Sequence, residues 1–135
     1  MIESIIFNKK LFAIILRSKF KKKGINFFTE TKNSFQLGYI NYNTNHKISP
    51  HYHPRKKKII FDTSEILFIK KGKIKINFYN EKTMKKYFRS RILNKGDIIL
   101  IVSGGHGFKV LSNVEMIEVK QGPYDFKKTK IRLKK

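Results

Sequence analysis

The stretch EILFIKKGKIKINFYN, residues 65–80, indicates the fold, because KIKINFYN alternates apolar and polar residues and EILFIKK has the near-continuous apolar residues of a buried strand. Branched and aromatic residues dominate it, as is typical of β-strands. Lys71 and Gly72 divide it into EILFIKK and KIKINFYN, and glycine accepts a positive φ without steric penalty. The pattern therefore predicts two strands joined by a tight hairpin at Lys71-Gly72.

The same alternation continues through the rest of the chain. Further strands are predicted at 35–43, 85–93, 97–102, 107–111 and 114–120. Turn signals separate them at Asn80-Glu81-Lys82, Asn94-Lys95-Gly96, Ser103-Gly104-Gly105 and Ser112-Asn113. IESIIF and LFAIILRS near the N-terminus fit either a strand or a short helix. Many short strands at this spacing predict an all-β sandwich or barrel, whose closure removes exposed sheet edges.

Length and composition fit a single domain. The chain has 135 residues, of which 40% are hydrophobic, so it can bury one core. It has no cysteine, which excludes disulfides, zinc–thiolate sites and thiol nucleophiles. LFAIIL, its longest uninterrupted apolar run, falls far short of a membrane span and is followed by no signal-peptide cleavage site. We expect a cytoplasmic protein without a membrane span.

The net charge of +22 has two readings. A strongly basic chain fits a nucleic-acid or other polyanionic partner, bound through salt-sensitive attraction. Only five of the 31 basic residues are arginine, however, and the lysines are spread over the whole chain. Arginine supplies the bidentate contacts of specific recognition, so the composition favours a general basic bias and predicts no specific nucleic-acid partner.

Two of the four histidines lie in SPHYHPRKKK, residues 49–58. In a strand, His51 and His53 would point to the same face, about 7 Å apart along the chain. Pro50 and Pro54 flank the pair and favour an irregular or edge segment, because proline cannot donate to a β-ladder. The pair is either half of a metal site or two exposed histidines beside a basic patch.

Two further residues favour the metal site. Glu65 shares one strand face with Leu67 and Ile69, and an ionised carboxylate among apolar neighbours needs a partner. His106 lies in SGGHGF between two glycines, which let the backbone approach another group closely. Three histidines and one glutamate form a shell suited to Fe, Mn, Zn, Ni or Co.

HYH followed by EILFIKKG resembles the first motif of the cupin superfamily, in which H-x-H precedes a glutamate, six residues and a glycine. GDIILIVSGGHGFKVLSN, residues 96–113, resembles the second motif, which begins with glycine, ends with asparagine and carries one more histidine. SGGHGF together with EVKQGPY is similar to one branch of small bacterial cupins, some of them encoded among sugar or surface-polysaccharide genes.

This resemblance covers about residues 35–124 and implies a double-stranded β-helix, or jelly roll, with a divalent transition metal held by His51, His53, Glu65 and His106. Residues 1–34 would add N-terminal strands that pack on the barrel, and 125–135 would form a basic tail. The chain departs from the family pattern in two places. Eleven residues separate His53 from Glu65, and Val102-Ser103-Gly104 replaces Pro-x-Gly.

Together these features predict a metal-binding cupin that acts on a small oxygenated or anionic, sugar-like molecule. The alternatives are a non-catalytic barrel that binds a sugar or metabolite, and a barrel whose charge binds polyanions. The sequence assigns no catalytic residue and no reaction type. His46 is expected at the surface or the pocket rim, Lys56–Lys58 in a solvated loop, and Asp97 in a turn. By resemblance, a homodimer is expected.

Overall fold

We analysed a computed structural model of the protein, which describes residues 1–80, 85–127 and 130–132. Over these residues the fold is all-β, and its main sheet is strongly curled, of the jelly-roll type that the sequence predicts. Eight strands follow in order: β1 (Ile2–Phe7), β2 (Lys10–Leu16), β3 (Gly24–Phe27), β4 (Gly38–Asn41), β5 (Glu65–Tyr79), β6 (Tyr87–Asn94), β7 (Ile98–Ile101) and β8 (Gly105–Lys120).

The N-terminal segments, which the sequence leaves open between strand and helix, are the strands β1 and β2. Asn8 and Lys9 join them, both with positive φ, which matches the twist of a two-residue hairpin turn. Both strands belong to the six-stranded sheet, in which β1, β2, β7, β5 and β6 follow one another and β8 pairs with β5. The first 34 residues thus contribute part of the sheet itself.

The long strand β5 organises this sheet. Its first residues pair with β7, from Glu65 opposite Ile101 to Phe68 opposite Ile98. Its second half pairs with β6, from Lys73 to Tyr79. Strand β8 runs along the other edge of β5 over the whole length. Strand β5 therefore connects two half-sheets.

The predicted hairpin at Lys71-Gly72 is wrong, because the chain runs straight through this point as one strand. The β5–β8 register shifts between Ile69 and Ile74, and Gly72 has a φ of 82° there. A bulge of this kind bends a strand and increases its twist. The turn predicted at Ser112-Asn113 is wrong for the same reason, since both residues lie within β8 beside the bulge.

The bend folds the two half-sheets over one core. Leu67 and Ile69 from the first half of β5 share a buried cluster with Ile74 and Ile76 from the second half. Aromatic rings pack against this cluster between the β1–β2 hairpin and strand β6. The ring centroids of Phe7 and Phe88 are 4.4 Å apart there. Burial of this apolar surface is the main force that holds the curl.

The two-stranded sheet of β3 and β4 covers the outer side of β2 and β7. Ile14 and Leu100 are buried there against Leu37, with the rings of Phe20 and Tyr39 packed around them. This second layer explains why β2 is apolar on both faces and carries no alternation.

The remaining turns are confirmed, since Asn94-Lys95-Gly96 joins β6 to β7 and Ser103-Gly104 joins β7 to β8. The turn predicted at Asn80-Glu81-Lys82 extends beyond the described residues. Of the basic tail 125–135, the structure describes 125–127 and 130–132. Within the described chain, no helix has the length and apolar character needed to cross a membrane.

Candidate functional site

The candidate site is centred on a carboxylate–imidazole contact between Glu65 and His106. Glu65 is the first residue of β5 and lies opposite Lys120, whereas His106, near the start of β8, lies opposite Phe78 at the other end of the same ladder. The curl of the sheet nevertheless brings Oε2 of Glu65 to 3.0 Å from Nε2 of His106. Two polar groups far apart along the ladder thus meet where the sheet closes on itself.

A lysine completes the surroundings of the carboxylate. Nζ of Lys120 is 3.2 Å from Oε1 of Glu65 and also 3.2 Å from Oε1 of Glu118. Glu65 itself is only 8% exposed. Each of its carboxylate oxygens therefore has a partner, as a buried charge requires.

These contacts shift two pKa values. The hydrogen bond with His106 lowers the pKa of Glu65, and the charges of His106 and Lys120 add to this effect against the opposing effect of burial. Burial acts to lower the pKa of Lys120, but the hydrogen bonds and charges of Glu118 and Glu65 outweigh it and raise that pKa. The ionised forms of Glu65 and Lys120 are both favoured, so the site carries a charged carboxylate and a charged ammonium group.

The second ring nitrogen of His106 is buried and has no hydrogen-bond partner among the described residues. Because Nε2 faces the carboxylate, Nδ1 is the ring nitrogen that remains for another partner. The side-chain oxygens of Asn77 and Gln121 are also buried without partners. Buried polar atoms without a protein partner are satisfied by water, an ion or a ligand.

His51 and His53 lie apart from this centre, on a segment without secondary structure. Each of the 22 residues from 42 to 63 is exposed. The two imidazole rings are neighbours, with centroids 5.3 Å apart and nearly perpendicular planes. Nδ1 of His51 is 2.9 Å from the carbonyl oxygen of Ser49. The structure brings the two histidines to each other on an irregular segment, as their flanking prolines favour.

The four predicted metal ligands thus form two separate pairs. Across residues 1–80, 85–127 and 130–132, no group of three or more histidine, aspartate or glutamate side chains is arranged to hold a metal ion. A transition-metal shell of the predicted kind needs both pairs in one place. The role of these four residues as metal ligands therefore stays a prediction.

The other residues singled out by sequence have structural positions. The ring of His46 stacks on Tyr42, with centroids 3.6 Å apart, and Lys56–Lys58 are exposed. Asp97 is 2% exposed and accepts hydrogen bonds from the backbone amides of Ser18 and Asn94 and from Nη1 of Arg17, each at 2.9 Å. Asp97 is thus a turn residue, as expected, and it also ties β6 to the end of β2.

An open groove lies elsewhere on the molecule. It is an open groove of about 1070 Å³, and its charged lining residues are Arg17, Lys19, Lys75, Arg91 and Asp97. Both arginines are already paired with Glu3. The groove contains neither Glu65 nor His106, and we interpret it as the surface of an ion-pair network that joins the two half-sheets.

Sequence reasoning missed Lys120. It lies in EVKQGPY, and only the register of β8 on β5 places it opposite Glu65. Charge alone gave no signal, because lysine is abundant throughout the chain.

Fold and site together define an all-β protein whose curled, jelly-roll type sheet brings a buried carboxylate and an imidazole into contact. A scan of protein-family models, a search of curated proteins and a search of solved structures each find no match for this chain.

Proposed function

We propose that this protein is a cupin-like protein that binds a small oxygenated or anionic, sugar-like molecule at the Glu65–His106 centre. We further propose that His51 and His53 join this centre in the competent state, so that the four side chains hold a divalent transition metal. The observation that carries the proposal is the 3.0 Å contact between the Glu65 carboxylate and the His106 imidazole.

The chemistry of this centre supports the proposal. Lys120 places a positive charge beside the Glu65 carboxylate, and His106 offers a buried Nδ1 that has no partner among the described residues. Ligand sites are concave and mostly apolar, with a few placed polar groups. Here a few polar groups lie at the end of an apolar core, where Leu67 and Ile101 are both buried. A bound metal would supply Lewis acidity at such a centre.

A second candidate function is binding without turnover. Both carboxylate oxygens of Glu65 already have partners, His106 on one and Lys120 on the other. A carboxylate held in this way is suited to electrostatic recognition and less suited to accepting a proton from a substrate. The same centre then recognises a ligand and leaves it unchanged.

Thermal unfolding with defined probes tests the ligand proposal. Glucose 1-phosphate, galacturonate and inorganic phosphate are added to the wild type, to Glu65→Gln and to His106→Ala, with His46→Ala as the matched histidine control. We expect a saturable rise in melting temperature for the wild type and the control, and a loss of this rise in the two centre variants. An equal rise in all four proteins would contradict a site at Glu65–His106. Nuclear magnetic resonance of the bound probe then separates turnover from binding alone.

A further inference from the structure

Residues 55–61, the loop segment, join basic and apolar side chains at the surface. Four basic residues, 55–58, are followed directly by Ile59, Ile60 and Phe61, and all seven residues are exposed. The exposed fraction reaches 74% at Ile59 and 94% at Phe61. No strand forms within this segment. Water is an unfavourable neighbour for apolar groups of this size, and exposed apolar groups rimmed by charge mark protein or membrane contacts.

The start of the C-terminal tail has the same character. Tyr124 and Phe126 are both exposed, Phe126 to 90%, and their ring centroids are 4.7 Å apart with nearly perpendicular planes. Lys127 follows them, and Lys130 and Arg132 are exposed as well. We call the described residues 124–127 and 130–132 the tail segment. It is a second surface element in which large apolar side chains alternate with basic ones.

The two segments leave the sheet at one corner. At the end of the β5–β8 ladder, the amide of Gln121 donates a hydrogen bond to the carbonyl oxygen of Ser64, at 2.9 Å. The loop segment ends three residues before Ser64, and Tyr124 lies three residues after Gln121. Each segment is therefore tethered to the Ser64–Gln121 corner by at most about 10 Å of extended chain.

Positive charge dominates at this corner. The loop segment and the tail segment together carry seven basic residues, against the acidic residues Asp62, directly after the loop segment, and Asp125. The carboxylates of Glu65 and Glu118 lie nearby but are both already paired with Lys120. The excess of basic over acidic groups therefore remains after every acidic residue of the corner is counted.

We propose that the Ser64–Gln121 corner docks on an anionic lipid surface. The cations of both segments lie among the lipid phosphates, and Ile59, Phe61 and Phe126 enter the boundary between the headgroups and the acyl chains. Polybasic segments are attracted to anionic leaflets, and apolar side chains add binding at this boundary. The docking goes beyond the function proposed for the Glu65–His106 centre and does not depend on it.

A single-stranded nucleic acid is the competing partner for such a basic surface. Nucleic acids bind by stacking bases on aromatic rings and by bidentate phosphate contacts from arginine. Ile59 and Ile60 are aliphatic and offer no ring for stacking, and Arg55 is the only arginine of the loop segment. Lysine acts as a point charge, and aliphatic side chains gain from contact with acyl chains. The composition of the loop segment thus favours the lipid surface.

Co-sedimentation with vesicles tests the docking on the full chain without metal or sugar. The vesicles contain phosphatidylcholine alone, or phosphatidylcholine and phosphatidylglycerol in equal parts, at about 0.15 M salt. We expect binding to the anionic vesicles only. The variant Lys56→Gln/Lys57→Gln/Lys58→Gln should bind them about a hundred-fold more weakly, because each cation near an anionic leaflet contributes about five-fold.

The chain offers a matched control for this variant. Residues 21–23 are also three consecutive exposed lysines, but the neighbouring Phe20 is packed against Tyr39, with ring centroids 5.0 Å apart. We expect Lys21→Gln/Lys22→Gln/Lys23→Gln to lose less than about ten-fold, because charges beyond a Debye length of the lipid surface are largely screened.

Tryptophan fluorescence gives an independent readout. The chain has no tryptophan, so Phe61→Trp and Phe126→Trp each report on their own segment. We expect the emission of both to shift to the blue on anionic vesicles, because the indole ring leaves water. Phe27→Trp is the control, since Phe27 is 60% exposed but lies on β3 in the covering sheet. Its emission should stay unchanged.

Four results would overturn the proposal. The first is no binding to the anionic vesicles. The second is an equal loss in the two lysine variants, which shows general attraction to the whole basic surface. The third is binding without a blue shift in Phe61→Trp, which shows that the loop segment stays out of the lipid. The fourth is tight binding to polyuridylate that an excess of anionic vesicles does not reduce, which identifies a nucleic acid as the partner.

Discussion

Glu65 and His106 lie at opposite ends of the β5–β8 ladder, yet Oε2 of Glu65 is 3.0 Å from Nε2 of His106. A flat ladder of this length would hold its ends tens of ångströms apart, at about 3.3 Å per residue. The contact therefore depends on the curl of the sheet, and it also defines the site. Changes that flatten the bulge at Gly72 will also separate the two side chains.

Gly72→Ala is expected to be strongly destabilising. Gly72 has a φ of 82°, and a Cβ there would overlap the backbone carbonyl of Asn113. Gly24→Ala is the matched control, because Gly24 has a φ of 79° and open space around it. We expect a loss of about 1 to 2 kcal/mol at Gly24 from backbone strain. At Gly72 we expect a further 1 to 3 kcal/mol, roughly the cost of overpacking. Urea unfolding measures both, and equal losses would contradict the close approach of β8.

Glu65→Gln tests the ion pairs of the site. The substitution keeps the shape but removes the charge that faces His106 and Lys120. We expect the free energy of unfolding to fall by about 1 to 3 kcal/mol, because partly buried partners lose a charged acceptor. Glu118→Gln, at a more exposed carboxylate, should cost less than about 1 kcal/mol. A larger loss at Glu118 would show that the stabilising pair is misassigned.

The lowered pKa of Glu65 predicts a pH dependence of stability. Its ordinary value is 4.5, and the folded protein binds the proton more weakly than the unfolded chain does. The contribution of Glu65 is therefore full above the ordinary value and is lost as the pH falls through the lower folded value. Urea titrations from neutral to acidic pH should show a steeper loss for the wild type than for Glu65→Gln. Parallel curves of stability against pH for the two proteins would show that Glu65 does not contribute to this pH dependence.

Asp97→Asn is expected to weaken the junction of β2 and β6. The carboxylate of Asp97 is buried and accepts three hydrogen bonds, one of them from the Arg17 guanidinium. An amide of the same shape presents donors where acceptors are needed, and disrupting a buried ion pair costs about 3 to 5 kcal/mol. Asp62→Asn in the exposed segment is the control, with little expected change. Equal stability of the two variants would show that the junction contributes nothing.

Much of the fold can be predicted from the sequence, because period-two alternation is recognisable in β5, β6 and β8. The hairpin at Lys71-Gly72 fails because a glycine with positive φ serves a bulge as well as a turn. A signal for the bulge is present in the stretch: the buried positions are Leu67 and Ile69 before Gly72, and Ile74 and Ile76 after it. Apolar positions that change from odd to even numbers mark one extra residue in a continuing strand.

The site is less accessible to sequence reasoning. The motif resemblance singles out Glu65 and His106 from separate parts of the chain, and the structure places them in contact. Lys120 depends on the register between two long strands, which local patterns do not specify. His51 and His53 lie outside any strand, so the alternation rule carries no information about where their rings point. Their role as ligands stays a prediction.

The metal content of the purified protein tests the proposed shell of His51, His53, Glu65 and His106. Untagged wild type, His51→Ala/His53→Ala and the control His46→Ala are purified natively, reconstituted with transition metals and analysed by mass spectrometry of the metals. We expect about one ion per chain in the wild type and in His46→Ala, and none in the double variant, because a shell of this kind needs all four side chains. Unchanged metal content in the double variant, or no metal in any of the three proteins, would contradict it.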